Sequence, residues 1–124
     1  MATGPLVTII DDDESVRESL PDLVKVLGYE ARAFAAAEEF LASDCIDDTR
    51  CMVLDITMPG MSGPDLQNEL RLRQRPIPII MITGRGDKSV RSRMIEQGAV
   101  ECLVKPFSDT ALCEALKAAF SVQL

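Results

Sequence analysis

The chain contains no histidine, and this absence limits the chemistry open to it. Histidine is the usual general base near neutral pH and a common zinc ligand, so the chain offers neither, and it has no phosphohistidine donor of its own. Its four cysteines, Cys45, Cys51, Cys102 and Cys113, form no Cys-x-x-Cys pair, which argues against a zinc site and predicts reduced thiols packed as small apolar side chains. Any reaction must therefore use carboxylates, lysine and hydroxyl groups.

Positive charge and long apolar runs are also scarce. The sequence has 13 Lys and Arg against 20 Asp and Glu, a net charge of -7, and its basic residues are scattered, so we expect no direct contact with nucleic acid. No apolar run is long enough to cross a bilayer and no signal peptide is visible, so we expect no membrane contact and a location in the reducing cytoplasm. A length of 124 residues fits one domain, 1–124.

The apolar runs are short and rich in β-branched residues, which is typical of strands buried on both faces of a parallel sheet. An alternating run at 30–34 predicts a further, shorter strand. The buried runs end in residues that can carry chemistry: 6–10 precedes Asp11-Asp12-Asp13, 52–54 precedes Asp55, 77–83 ends in Thr83, and 100–104 precedes Lys105.

Helical patterns separate these strands, and cap or turn residues mark their ends. We predict helices over 16–27 with a stop at Gly28, over 36–41, from Ser62 to Arg75-Pro76, from a cap at Asp87 to Gly98, and from a cap at Ser108 through Phe120, with a polar loop at 44–50. Asp13 is expected to cap the first helix, and Pro21 predicts a kink or a late start in it. Strands alternating with helices predict an α/β fold with helices on both faces of one parallel sheet.

In such a sheet the carboxyl ends of the strands lie along one edge, so Asp11, Asp12, Asp55, Thr83 and Lys105 are expected to converge. Close carboxylates repel one another unless a cation lies among them, and Mg²⁺ suits two or three aspartates. A carboxylate beside Mg²⁺, a lysine and a hydroxyl is the set needed for phosphoryl transfer to aspartate, with Asp55 as the candidate nucleophile. The plainer interpretations are a turn residue for Asp55 and a solvated side chain for Lys105.

The order of these motifs resembles that of the receiver domains of bacterial two-component response regulators. The motifs are Asp11-Asp12, Leu54-Asp55-x-x-Met58-Pro59-x-x-x-Gly63, Thr83-Gly84 and Lys105-Pro106-Phe107, and they span nearly the whole chain. The resemblance implies a flavodoxin-like (βα)5 doubly wound sheet in the order 2-1-3-4-5 and phosphorylation of Asp55 by a histidine kinase. It also implies a signalling switch rather than an enzyme, one that assists its own phosphotransfer and dephosphorylation.

The resemblance assigns a metal ligand set. Asp12, Asp55 and the backbone carbonyl of Thr57 would hold Mg²⁺, and Asp11 would act through water. The side chain of Thr57 also lies where the family tunes hydrolysis of the acyl phosphate.

The resemblance further implies how the phosphoryl group is bound and read out. Thr83 and Lys105 would bind its oxygens, and the Lys105-Pro106 peptide would be cis. The added charge would draw both side chains and shift the surface formed by the fourth helix and the fifth strand. We expect a phosphorylation-linked homodimer through that surface.

One position departs from the family pattern. Cys102 stands three residues before the lysine, where the family usually has the aromatic half of its switch, so coupling to the surface is expected to be weaker or to run through helix packing. A redox role for Cys102 is a lesser alternative to a small core residue. The segments 82–84 and 98–100 resemble the FixJ-type subgroup, whose members usually carry a C-terminal helix-turn-helix domain, so we expect the chain to be the N-terminal part of a longer transcription regulator.

Two other functions fit parts of the sequence. A haloacid-dehalogenase-like Mg²⁺ phosphatase also uses an aspartate at a strand end, but it needs a second aspartate two residues on, where this chain has Thr57. The other alternative is a receiver-like interaction module that works without phosphorylation, which the cysteine at position 102 would suit.

Overall fold

A parallel sheet of five strands forms the centre of the molecule. The computed structural model describes residues 4–84 and 88–121. Its elements are, in chain order, β1 (Leu6–Ile10), α1 (Glu14–Val26), β2 (Glu30–Phe34), α2 (Ala37–Ala42), β3 (Thr49–Asp55), α3 (Gly63–Leu72), β4 (Ile79–Thr83), α4 (Lys88–Glu96), β5 (Glu101–Val104) and α5 (Asp109–Ser121). The strands lie in the order β2-β1-β3-β4-β5, which confirms the predicted doubly wound sheet.

Apolar side chains from the central strands feed two cores, one on each face of the sheet. On one face, Leu20 of α1 and Leu116 of α5 pack against alternate strand residues such as Val53. On the other face, Phe40 of α2 and Leu66 of α3 pack against the intervening strand positions. The continuous apolar runs predicted as doubly buried strands are confirmed in β3 and β4, because successive residues of a strand point to opposite faces and both faces are covered.

Most helix starts follow the predicted caps. The side chain of Asp13 accepts a hydrogen bond from the N–H of Ser15 at 2.9 Å, and that of Ser108 accepts from the N–H of Ala111 at 3.0 Å. Ser62 and Asp65 form a reciprocal capping box at the start of α3. The predicted cap at Asp87 lies outside the described residues.

The first helix corrects one expectation. It begins at Glu14 and includes Pro21, so the late start expected from the proline is wrong. The cap at Asp13 satisfies the first turn, and the helix continues through the proline because Leu20 and Val24 on the same face are buried in the core.

Two other boundaries differ from the pattern in the sequence. Thr49 and Arg50 belong to β3 rather than to the loop predicted at 44–50, because the hydroxyl of Thr49 is buried and lies 2.7 Å from that of Thr8 in β1. Helix α3 ends at Leu72, before the predicted stop at Arg75-Pro76, and β4 correspondingly starts only at Ile79.

The early end of α3 has a local cause. Gln74 adopts a left-handed conformation with φ of 60°, and the N–H of Arg75 then reaches back to the carbonyl of Leu70 at 2.9 Å. This is a Schellman-type helix end with glutamine in place of the usual glycine, which is why no glycine in the sequence marked it.

The exposed surface carries few large apolar side chains. Those most exposed among the described residues are Val26 and Leu72, at the ends of α1 and α3, and Val104 and Ile95, on β5 and α4. No described helix combines the length and the apolar character that a bilayer crossing demands.

Gly63 packs so closely against the end of β3 that replacing it with alanine is expected to destabilise the protein. A Cβ at position 63 would lie 2.5 Å from the carbonyl oxygen of Asp55, so Gly63→Ala is expected to lower the free energy of unfolding by about 2 kcal/mol through overpacking. Glycine to alanine in a helix normally has the opposite sign. Urea denaturation measures the change. Gly84→Ala is the control, because its Cβ would meet no atom within 4 Å, and equal or higher stability of Gly63→Ala would contradict the contact.

Candidate functional site

The polar residues predicted to converge do meet at the carboxyl edge of the sheet. Asp55 and Thr83 are the last residues of β3 and β4, while Asp11 and Lys105 directly follow β1 and β5. Asp11 is fully buried, and Asp55 and Thr83 are each 5% exposed. Parallel strands place these ends side by side, so three separate segments contribute buried polar groups to one crevice.

Three of these residues form a carboxylate cluster. Asp11, Asp12 and Asp55 each offer an oxygen, and these oxygens lie within 4.8 Å of one another. Asp12 is exposed, whereas the other two are buried, so the cluster opens to solvent on the side of Asp12. Its geometry allows one small cation to contact all three groups.

Lys105 faces the two buried carboxylates. Its Nζ lies 2.8 Å from Oδ2 of Asp11 and 3.9 Å from Oδ2 of Asp55, so the closer ion pair is with Asp11. The peptide between Lys105 and Pro106 is cis, as the resemblance implied. The lysine is only partly exposed, and the solvated side chain considered from the sequence is therefore wrong.

Burial and a neighbouring like charge disfavour the charged form of Asp55. Burial and the neighbouring charge of Asp11 raise the pKa of Asp55 to about 7, although Lys105 and the N–H of Thr57, 3.3 Å from Oδ1 of Asp55, favour its charged form. Burial lowers the pKa of Lys105, but the close ion pair with Asp11 and the charge of Asp55 outweigh burial and leave the pKa raised. The pair of carboxylates therefore needs more positive charge than one lysine supplies.

The donor set fits Mg²⁺. All three candidate ligands are carboxylates, and no histidine or thiol joins the cluster within the described residues. Although Nζ of Lys105 is close to Oδ2 of Asp11, it is not aligned with it as a hydrogen bond requires, and no other described group donates to that buried oxygen. A buried carboxylate oxygen without an aligned donor is placed to accept a cation or a water bound to one.

Two further positions singled out by the resemblance, Thr57 and Cys102, differ in exposure. Thr57 is exposed beside the acceptor, where its hydroxyl can meet solvent. Cys102 is 3% exposed in β5, and burial followed by the charge of Glu101 raises the pKa of its thiol. A buried thiol with a raised pKa is poorly reactive, which favours the small core residue over the redox role.

Two clefts flank the carboxylate cluster. A cavity of about 640 Å³ lies between α1 and the segment after β5, and its walls include Leu20, Leu23, Lys105 and Phe107. A cavity of about 410 Å³ lies on the other side. Its lining includes Thr57, Thr83, Val90, Arg93 and Met94. Both clefts reach the site, so a partner or a moving helix on either side can contact it.

Two contacts near the site were not predicted from the sequence. Arg17 of α1 donates to the backbone carbonyl of Asp11 at 2.9 Å, and Glu38 of α2 accepts from the N–H of Met61 at 3.0 Å. Arg17 follows Asp11 by six residues and carries no distinguishing signal. Glu38 is 23 residues away from its partner and lies next to a second glutamate, Glu39, so spacing alone could not identify it.

Comparison with known proteins identifies the family. The model of the response regulator receiver domain matches residues 7–117 of the chain. The chain belongs to the response regulator receiver domain family.

Relatives with curated descriptions agree with this assignment. The receiver domain is 45% identical over 118 residues to nodulation protein W of Bradyrhizobium diazoefficiens, covering 95% of this chain and 52% of that protein. It is 38% identical over 117 residues to response regulator protein TodT of Pseudomonas putida strain F1, covering 94% and 52%. The chain thus spans about half the length of the curated relatives it matches.

Solved structures support the fold independently. The receiver domain superimposes on FixJ-N with a TM-score of 0.84 at 36% identity, covering all of this chain and 98% of that one. It superimposes on response regulator StyR with a TM-score of 0.86 at 40% identity, covering 97% of this chain and 61% of that one. The predicted resemblance, including its flavodoxin-like sheet, is confirmed.

Membership of the family establishes the general role. Receiver domains accept a phosphoryl group in two-component signalling, interact with histidine kinases and typically use Mg²⁺. The haloacid-dehalogenase-like phosphatase and the phosphorylation-independent module are not favoured.

The raised pKa of Asp55 predicts that ionisation of this group lowers the free energy of unfolding of the metal-free protein. Above pH 7 the folded protein must carry a charged Asp55, and this cost is relieved as the pH falls through about 7 towards the unfolded value of 3.8, because the folded state then binds the extra proton. Asp55→Asn should therefore be more stable than wild type at pH 8, by about 2 kcal/mol after allowance for solvent screening in an open site.

Urea denaturation in EDTA at a series of pH values measures this difference. The advantage of the variant should shrink as the pH falls from 8 to 5. A stability difference that stays constant over this range would contradict the raised pKa.

Proposed function

We propose that Asp55 is the phosphoryl acceptor of this receiver domain, with Lys105 and Thr83 as the residues that bind the transferred group. The observation that carries the proposal is the position of Asp55: a buried carboxylate at a strand end, 3.9 Å from the ammonium of Lys105 and beside Asp11 and Asp12. A nucleophile there approaches a phosphoryl group from the open side of the crevice.

Asp12 and Asp55 supply carboxylate oxygens for one Mg²⁺ ion and Asp11 acts through water, and we assign the backbone carbonyl of Thr57 to the same set from the family pattern. The ligand geometry supports this, since the three carboxylates converge within 4.8 Å. When bound, Mg²⁺ neutralises charge on the carboxylates and on the phosphoryl oxygens.

The transfer itself needs little covalent chemistry from the protein. A carboxylate oxygen of Asp55 attacks phosphorus in line with the phosphorus-nitrogen bond of a phosphohistidine on the kinase. The new oxygen-phosphorus bond forms as the phosphorus-nitrogen bond breaks, and the electron pair stays on the imidazole nitrogen, which takes up a proton from water. Lys105 stabilises the negative charge on the equatorial oxygens.

The acyl phosphate then changes the partners of Lys105. The ammonium of Lys105 lies 2.8 Å from Oδ2 of Asp11 and 3.9 Å from Oδ2 of Asp55. A phosphoryl group on Asp55 adds negative charge on the side of Asp55, the more distant of the two carboxylates. Thr83 turns towards the same group, and the 410 Å³ cavity beside it gives α4 room to follow. The backbone N–H of Lys105 already donates to the carbonyl of Thr83 at 2.8 Å, which ties the two responses together.

Helix α4 is suited to move because few apolar contacts hold it. Met94 is its buried side chain, while Arg91 forms a bidentate ion pair with Glu101 on β5. An exposed ion pair of this kind contributes little stability. Ile95 and Val104 expose apolar surface on the same two elements, which supports a homodimer of phosphorylated chains through α4 and β5.

The kinase's phosphohistidine domain docks in the 640 Å³ cleft. The cleft combines apolar wall residues, Leu20, Leu23 and Phe107, with Lys105 of the phosphoryl site, so a partner seated there reaches Asp55 from the open side. This surface is separate from the α4 and β5 face, so docking and dimer formation use different residues.

The chain forms the receiver part, 1–124, of a longer transcription regulator, with a helix-turn-helix domain as the DNA-binding part. The chain matches about half the length of its curated relatives, which supports its being part of a longer protein. The receiver itself acts as a switch rather than as an enzyme with turnover, and it assists its own phosphotransfer and dephosphorylation. Free cysteines at all four positions support a reducing location, the cytoplasm.

Acetyl phosphate tests the acceptor directly. Wild-type protein should gain a single phosphate by intact-mass spectrometry, only with Mg²⁺, and Asp55→Asn should gain none. Asp22→Asn, which changes an exposed aspartate on α1, is the matched control and should be modified as wild type is. A Mg²⁺-dependent adduct that survives in Asp55→Asn would contradict the assignment, and sustained release of phosphate would favour the phosphatase.

Sedimentation velocity tests the dimer face. Phosphorylated wild type should sediment as a dimer and unphosphorylated protein as a monomer, whereas Ile95→Lys should stay monomeric although its Asp55 is phosphorylated normally. Val26→Lys places the same charge on an exposed apolar residue of α1 and should still dimerise. A monomer in both phosphorylation states of wild type would contradict this part of the proposal.

A further inference from the structure

The loop that follows Asp55 is held by a side chain from another element. Residues 56–62 join β3 to α3. The side chain is that of Glu38, in the first turn of α2, whose Oε2 accepts a hydrogen bond from the N–H of Met61 at 3.0 Å. The loop is therefore fixed from outside as well as by its own turns.

Gly60 lets the carboxylate of Glu38 come this close. Its φ is +77°, which favours glycine, and a Cβ at this position would lie 2.6 Å from Oε2 of Glu38. Both the positive φ of Gly60 and its lack of a Cβ therefore allow the loop to accommodate Glu38. The loop backbone at Gly60 and the N–H of Met61 therefore both lie against the same oxygen, Oε2 of Glu38.

The anchored point is only a few residues from the acceptor. Met58, between Thr57 and Met61, is 6% exposed and packs in the core, so the short segment is pinned at two places. The N–H of Thr57 donates to Oδ1 of Asp55 at 3.3 Å. The hydrogen bond of Met61 to Glu38 and the core packing of Met58 therefore act together to hold the segment whose Thr57 N–H orients the carboxylate of Asp55.

We propose that Glu38 is a positioning residue of the metal and phosphoryl site, acting through the 56–62 loop. The inference rests on the proposed function, because it assumes that Asp55 and the Thr57 carbonyl hold Mg²⁺. Glu38 contacts neither Asp55 nor the carbonyl of Thr57. Its hydrogen bond to Met61 holds Thr57 in place, and the negative charge of Glu38 is not required for this role. An uncharged side chain with the same acceptor oxygen should consequently serve as well.

Three variants separate these roles. Glu38→Ala removes the acceptor and should weaken Mg²⁺ binding, measured by titration calorimetry, by roughly tenfold, the low end of what outer hydrogen-bond partners of metal sites contribute. Glu38→Gln keeps an acceptor oxygen and should bind Mg²⁺ within about twofold of wild type. Glu39→Ala is the matched control: it removes the same charge from the same helix, but its carboxylate accepts from the N–H of Ala35 instead of the loop.

Hydrogen exchange of the Met61 amide gives a readout without metal. Protection should fall in Glu38→Ala and persist in Glu38→Gln and Glu39→Ala, following the same pattern as Mg²⁺ affinity. Equal loss of affinity in all three variants would overturn the inference in favour of a simple charge effect. Wild-type affinity in Glu38→Ala, with the amide deprotected, would overturn it while leaving Asp55 as acceptor. A wild-type protein that binds no Mg²⁺ would instead overturn the proposed function.

Discussion

Two carboxylates, Asp11 and Asp55, are buried side by side at the edge of the sheet, and Lys105 is the cation that both of them face. Burial and the neighbouring charge of Asp11 raise the pKa of Asp55 to about 7, and an oxygen of Asp11 has no aligned donor within the described part of the chain. The fold tolerates this because apolar cores on both faces of the sheet hold the strand ends in place. The site is therefore ready for a cation, and its charge balance changes again when a phosphoryl group is added.

The surrounding structure combines rigid and weakly held parts. The loop after Asp55 is fixed by the buried side chain of Met58, the capping box at Ser62 and the hydrogen bond from Met61 to Glu38. Helix α4, on the other side of Thr83, has a single buried side chain among its described residues. A change of charge at the acceptor can therefore displace α4 more readily than the loop, which suits a switch read at the α4 and β5 surface.

The sequence predicted the strands and the site better than the exact ends of helices. Strand ends were predictable because β-branched runs stopped at residues such as Asp55 and Lys105, and the parallel topology then required them to meet. The end of α3 was missed because Gln74 takes the left-handed conformation that glycine usually marks, and the late start expected of α1 from Pro21 is wrong because the Asp13 cap and core packing outweigh the proline. The contact of Glu38 depends on how α2 packs beside the loop, which no local pattern encodes.

The most direct test of the account is chemical trapping of the phosphorylated residue. Borohydride reduces an aspartyl phosphate to homoserine, so protein phosphorylated with Mg²⁺ and then reduced can be digested and sequenced by mass spectrometry. The account predicts homoserine at position 55, with unmodified aspartate at Asp11 and Asp12. Homoserine at either of those two positions, or phosphate held with no reducible aspartate, would contradict the central claim that the carboxylate facing Lys105 from β3 is the acceptor.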